Sequence, residues 1–266
     1  MREPLISRRA FAAGLAVAPL AGQQDGWVSL FNGRNLDGWR AAEGPNSWKV
    51  VDGQLAADGP RSHLFYAGPV RNAGFKNFEL EVEARALAGA NSGVYFHTAY
   101  QEKDWPNQGF EVQINNSQAS ERKKTGSLYN LRNTYKQFVR DGEWFKLDIA
   151  VRGKRVQVRL NGMPLVDYVE PVPAYIPPGM EKARRLGSGT FALQCHDPGS
   201  KVFYRSVRVL PLPDDLATPG GENVAADDVF RRIIDLGVRG YPMADLHVHL
   251  KSGFNLEQAI AKSQRD

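Results

Sequence analysis

Period-two alternation of apolar and polar residues dominates this chain. Phe78-Glu79-Leu80-Glu81-Val82-Glu83-Ala84 alternates strictly, which predicts a strand with one buried and one wet face. Leu147, Ile149 and Val151 alternate with charged or small residues, and the pattern resumes after Gly153-Lys154 at Val156, Val158 and Leu160. Phe191–His196 and Val202–Leu210 read as further strands. Asp52-Gly53, between Trp48–Val51 and Gln54–Ala56, is a hairpin signal, and Asn161-Gly162 turns the chain into Leu165–Tyr168. Trp27–Phe31 forms a strand that ends on Asn32-Gly33. No convincing helix-period stretch interrupts residues 27–212. The pattern predicts an all-β fold, an antiparallel β-sandwich of jelly-roll size over 25–212.

The character changes at Pro211-Leu212-Pro213. Residues 213–223 read as a linker rich in Pro, Gly and Asp. Val229, Ile233 and Leu236 then recur at helical spacing, Ala244–Leu250 is strand-like, and Leu256–Ala261 starts another helix. Residues 224–266 thus predict a short α/β extension, too small to bury a core alone. At the other end, Ser7-Arg8-Arg9-Ala10-Phe11 is a twin-arginine signature before an apolar run, Ala10–Leu20, too short to span a bilayer. Residues 1–24 are read as a twin-arginine-type signal peptide. The expectation is a periplasmic or secreted protein with no integral membrane segment once the signal is removed.

Composition narrows this picture. Of the 266 residues, 42% are hydrophobic and 24% charged, which excludes wholesale disorder. The single cysteine, Cys195, excludes an intramolecular disulfide, and its apolar surroundings predict a buried, inert thiol. The net charge is +5; Arg2, Arg8 and Arg9 against Glu3 account for two of these charges within residues 1–23. The remainder is too weak to imply nucleic acid. Glu121–Lys124 and Arg184-Arg185 read as solvated loops.

Alternation also sorts candidate chemistry. In Gly109–Asn115 the apolar residues Phe110, Val112 and Ile114 face the core, so Glu111, Gln113 and Asn115 share the other face. By the same rule Gln194 and His196 project together, as do Tyr95 and His97. If these strands neighbour one another, their groups converge on one sheet face. A wet strand face usually carries Lys, Thr and Ser; these amides, imidazoles and carboxylates suit a polyol-binding or catalytic face as well as they suit ordinary solvent-side strand residues. Trp39, Trp48, Trp105, Tyr129 and Trp144 lie near turns or motif ends, where each is either core packing or a platform for a sugar's C–H face.

Leu30–Trp39 (LFNGRNLDGW) resembles the opening motif of the 3-keto-disaccharide hydrolase family, also called the 3-keto-glucoside 1,2-lyase/3-keto-2-hydroxy-glucal hydratase domain. Asn91–Phe96, Gly109–Ile114, Thr125–Tyr129, Gly142-Glu143-Trp144, Asn161-Gly162, Gln194–His196 and Val202–Arg205 continue the resemblance in order. At His97 the sequence departs from the family's frequent Arg. The resemblance implies a concanavalin A-like jelly roll acting on a small oxidised saccharide. It implies cleavage of 3-keto-glycosides by C2 proton abstraction, elimination of the aglycone and rehydration. Glu111 and His196 are then the expected acid/base pair. Gln113 and Gln194 are expected to hydrogen-bond substrate, with His97, Tyr129, Tyr95 and Asn91 as further binding residues. A divalent metal, Mn²⁺ or Ca²⁺, is an alternative partner of the ketone, and Glu111 and His196 would then be its ligands.

Ala244-Asp245-Leu246-His247-Val248-His249-Leu250 is a separate signal. Two imidazoles at i and i+2 on a strand share a face and can share a metal, with Asp245 beside them. The motif resembles the first strand of metal-dependent hydrolases of the polymerase-and-histidinol-phosphatase or amidohydrolase type, and the segment is read as an incomplete fragment of one. The rival functions are a non-catalytic carbohydrate-binding module on the same sandwich, and a metal-dependent phosphoesterase or amidohydrolase resting on residues 245–249 alone.

Overall fold

The computed structural model describes residues 26–177, 179–180 and 183–221. The expected signal (1–24) and the 224–266 extension, with Asp245, His247 and His249, lie outside the described residues.

Alternation becomes strands where predicted. In chain order these are β1 (Val28–Ser29), β2 (Trp39–Glu43), β3 (Trp48–Val51), β4 (Gln54–Asp58), β5 (Ser62–Tyr66), β6 (Phe78–Ala86), β7 (Ser92–Thr98), β8 (Phe110–Ile114), β9 (Trp144–Arg152), β10 (Arg155–Leu160), β11 (Met163–Val169), β12 (Thr190–Cys195) and β13 (Lys201–Pro211). They form two antiparallel sheets. The larger runs β11-β10-β9-β6-β13-β4-β3, with β1 on β13; the smaller runs β2-β5-β12-β7-β8. Stacked face to face, they make a concanavalin A-like jelly-roll sandwich. Asp52-Gly53 and Asn161-Gly162 both take positive φ at each central residue, as a type I′ hairpin requires. Among the described residues no helix is long and apolar enough to cross a membrane.

One apolar core fills the space between the sheets. β9 shows the principle: Phe145, Leu147, Ile149 and Val151 are buried and the residues between them are not. Phe191 of β12 packs its ring 4.5 Å from Phe75 and 4.9 Å from Phe78, centroid to centroid, joining the two sheets. Cys195 is buried as expected, and burial pushes its thiol up to about 11. On the larger sheet's outer face the charges pair instead, with Arg208 and Lys146 on Glu81 at 2.6 and 2.9 Å and Arg205 on Glu83 at 2.6 Å.

Three features depart from the pattern. Trp27–Phe31 yields only two strand residues, because Leu30 and Phe31 turn into the core. β5 carries no alternation signal, since every residue of Ser62–Tyr66 is buried, and β2 alternates only irregularly. The segment expected as a linker is fastened to the sandwich through residue 221: Asn77 donates to Pro213 O at 2.7 Å, the Lys154 amide to Thr218 Oγ1 at 2.9 Å, and Arg155 to Pro219 O at 2.9 Å.

Phe191→Ala is expected to lower the unfolding free energy by about 3–5 kcal/mol, through lost transfer energy and the cavity left between the sheets. Chemical denaturation checks this; a loss below about 1 kcal/mol would mean that Phe191 does not couple them.

Candidate active site

The smaller sheet presents one face to the core and the other to a cavity of ≈ 530 Å³. The cavity face is built by register. Tyr95 of β7 pairs with Glu111 of β8 and with Ala192 of β12; one row along, Gly93 pairs with Gln113, and Gln194 of β12 pairs with His63 of β5. Alternation therefore delivers Tyr95, Glu111, Gln113 and Gln194 to one surface, the floor, and Asn91 and His196 join them at the strand ends. Loops raise the walls. Residues 105–107 supply Trp105, Pro106 and Asn107, residues 121–129 supply Glu121 and Tyr129, and Met180, Ala183 and Arg184 complete the lining.

Glu111 lies at the bottom, 6% exposed. Its Oε1 accepts from Gln194 Nε2 at 3.4 Å, and its Oε2 faces Arg184 Nη2 at 3.5 Å. Gly93 makes this position available, because a Cβ there would stand 2.6 Å from Glu111 Oε1 and 2.9 Å from its Cγ. Burial raises the Glu111 carboxyl above its ordinary value, against the lowering pull of the Arg184 guanidinium and the Tyr95 hydroxyl. Gln194 Nε2 also donates to the Tyr95 hydroxyl at 2.8 Å, and Gln113 Nε2 donates to Asn91 Oδ1 at 2.7 Å. The carbonyl oxygens of both glutamines are buried and accept nothing from the protein.

His196 sits higher, its side chain 33% exposed, with Nδ1 2.7 Å from Asp197 Oδ2. Asp197 also accepts from Ser200 Oγ and the Gly199 amide. Burial alone would raise the Asp197 carboxyl, but these three hydrogen bonds hold it below its ordinary value. An ionised Asp197 fixes the imidazole tautomer with hydrogen on Nδ1 and leaves Nε2 for chemistry. Glu111 and His196 thus line one hollow, as the alternation argument required.

Other expected residues divide. Tyr95, Asn91, Gln113, Gln194 and Tyr129 line the cavity; His97 does not. At His97 the backbone takes φ +55°, where the β7–β12 register slips, and the ring turns off the strand's alternation. It packs edge-on against Phe78 and Phe96, with Nε2 2.8 Å from Lys76 O and Nδ1 accepting from the Gly187 amide at 3.3 Å. Burial lowers its pKa to about 4, so it is a neutral structural link rather than a substrate ligand. Gly109 permits the slip, since a Cβ there would lie 2.0 Å from Phe96 O.

Both expected solvated loops fold into the site. Arg184 is 4% exposed and donates to Tyr129 O at 3.0 Å as well as facing Glu111. Glu121 accepts from the Tyr129 hydroxyl at 2.8 Å and pairs with Lys123 at 3.3 Å. Asn115, on the cavity side by alternation, instead holds this loop through Glu121 O and Lys123 O, at 2.7 and 3.0 Å. Residue pattern offered no signal for Arg184, which lies in a stretch without periodicity. Gly93 did leave one, a glycine inside a strand.

Glu111 and His196 do not fit the alternative role of metal ligands. Glu111 faces a guanidinium, whose charge opposes a cation beside it, and among the described residues no three His, Cys, Asp or Glu side chains cluster for a metal. No step below passes through Mn²⁺ or Ca²⁺.

The family model of the 3-keto-alpha-glucoside-1,2-lyase-like domain matches residues 26–210, the whole sandwich. The chain belongs to this family. A 3-keto-disaccharide hydrolase of Bacteroides thetaiotaomicron is 33% identical over 84 residues, which cover 27% of each chain. The chain therefore spans about a quarter of the length of the curated relative it matches. Two crystal structures of candidate glycosyl hydrolases from Parabacteroides distasonis share the family member's fold, each at 22% identity. One has a TM-score of 0.60 and covers 71% of this chain and 94% of its own; the other has 0.55, with 70% and 99% covered.

Two tests follow from this geometry. Gly93→Ala should cost about 1–3 kcal/mol by overpacking against Glu111. In a Glu111→Ala background the same change should cost under about 0.5 kcal/mol, and equal costs in both backgrounds would remove the contact from the argument. Arg184→Met removes the strongest lowering influence on Glu111, so the carboxyl's titration, followed by carbon NMR, should move to higher pH. A shift to lower pH, or none, would mean that the guanidinium does not act on Glu111.

Proposed function

We propose that this cavity cleaves 3-keto-glycosides by elimination followed by hydration. The observation that carries the reading is the pairing, in one sugar-sized hollow, of a buried carboxylate with raised proton affinity and a carboxylate-oriented imidazole nearer the mouth. Family membership supports the substrate class.

A ketone at C3 of a glucosyl ring acidifies the C2 proton, because the anion left behind is an enolate. In the proposed sequence the oxidised ring lies on the floor, against Tyr95, Gln113 and Gln194. The Glu111 carboxylate takes the C2 proton, and its raised pKa makes it a stronger base than an ordinary carboxylate. Arg184 offsets the negative charge that develops on the enolate oxygen. The C1–O bond breaks, and His196, entering the cycle as the imidazolium with Nδ1–H held by Asp197, gives its Nε2 proton to the departing aglycone oxygen, leaving 3-keto-2-hydroxy-glucal. Water then adds at C1, giving its proton to His196, and the Glu111 carboxyl, which exchanges its proton with solvent as the aglycone leaves, protonates C2. The balance is one water consumed, with free 3-keto-glucose and the aglycone released. Glu111 sits deep and His196 near the mouth, which matches a base acting on the ring and an acid acting on a group that must leave.

The test is release of 3-keto-glucose from a 3-keto-disaccharide, run in deuterated water. Deuterium should appear at C2 of the product beyond the enzyme-free control. Glu111→Gln should lower turnover by about 10²–10⁴-fold while leaving the fold intact. Binding without release would favour a carbohydrate-binding module. Release without C2 exchange would replace elimination with direct hydrolysis.

A further inference from the structure

Trp105 is a large apolar side chain that the fold holds still while leaving it 40% exposed. Its ring lies 4.9 Å from His196, tilted 38°, and edge-on to His63 at 5.5 Å. The Arg61 guanidinium stands 5.0 Å from it, itself gripped by both oxygens of Glu43 at 2.9 and 2.8 Å. The backbone beneath is equally fixed: Gln101 Nε2 donates to Lys103 O and Trp105 O, and Gln101 Oε1 accepts from the Asn107 amide. An exposed indole fixed from three sides at a cavity mouth offers a flat apolar surface with little ordering left to lose on binding.

The cavity is polarised about this ring. The buried acceptors without protein donors, Gln113 Oε1 and Gln194 Oε1, belong to the floor. Around exposed Trp105 the lining consists of Pro106, Asn107, Met180 and Ala183, and the Tyr129 hydroxyl is already engaged by Glu121. His196, between floor and mouth, marks where the glycosidic oxygen would lie in the reaction proposed above, on which this inference rests. The leaving group beyond it then meets the indole.

We propose that Trp105 is the aglycone platform and that the site selects 3-keto-glucosides whose leaving group presents a flat apolar face. A hydroxyl-rich aglycone could bond the Asn107 side-chain amide but would leave the indole face and the apolar wall uncovered, whereas an aryl group covers both. Because the same ring packs on His196, Trp105 couples aglycone occupancy to the acid that protonates it.

The test compares 2-phenylethyl with ethyl 3-keto-glucoside, whose leaving alkoxides are of similar basicity, so that a difference reports the platform. Specificity constants are measured on the wild type, and dissociation constants for the same pair on Glu111→Gln, where turnover does not intrude. Burial of a phenyl face should favour the phenylethyl compound by about tenfold in both measurements. Trp105→Ala should bring the ratio to about one, and Trp105→Phe should restore part of it. A wild-type ratio near one in both measurements, with 3-keto-glucose still released, would overturn the platform and leave the reaction standing. Preferential binding of the phenylethyl compound without release of 3-keto-glucose would do the reverse.

Discussion

The contact between Glu111 and Arg184 is the constraint around which the site is organised. Both side chains are almost wholly buried, at 8% and 5% exposure, and each would carry a large desolvation cost alone. Together they join a strand of the floor to a wall loop. Arg184 reaches this place because its amide donates to Gly109 O at 2.8 Å and its guanidinium bonds Tyr129 O, so the loop, the start of β8 and the 121–129 wall close together. Burial nevertheless wins over the pairing, and the carboxyl's proton affinity stays raised. The guanidinium thus offsets only part of the cost of burying the charge.

Glycines set the shape that makes this contact possible. Gly93 clears the space into which Glu111 folds, and Gly109 and Gly189 let β7 pass so closely that a Cβ on either would meet the backbone of residues 96–98 within 2.3 Å. That close passage is what twists His97 out of the alternation and into the core. The same local irregularity therefore removes one imidazole from the cavity and tightens the sheet beneath the other groups.

The strands with one wet face were legible in the sequence, and β6 and β9 follow their pattern residue by residue. So was the floor of the site, because alternation along β8 and β12 fixes which side chains share a face whatever the tertiary structure. β5 was not legible, since both its faces are covered and period two vanishes. The walls were not legible either. Arg184, Trp105 and Glu121 come from loops whose position is set by long-range hydrogen bonds, and a loop arginine reads as solvated until the buried acid it faces is known. His97 failed for a third reason: alternation assumes a regular backbone, and one positive φ breaks it.

The reaction proposed for this cavity differs from that of an ordinary glycosidase. Such an enzyme sets two carboxyl groups across the scissile bond, one of them free to attack or to activate water. Two glutamates do line this cavity, but Glu121 has its oxygens occupied by the Tyr129 hydroxyl and the Lys123 ammonium, and its carboxyl is held below the ordinary value despite burial. It is a structural brace. The group paired with Glu111 is therefore an imidazole, and the nearby cation is an arginine facing the floor. A carboxylate, an imidazole and a guanidinium are poorly arranged to stabilise a positive oxocarbenium ion. They are well suited to a reaction whose intermediate is an anion, and a ketone beside the carbon that loses its proton is what makes that anion accessible.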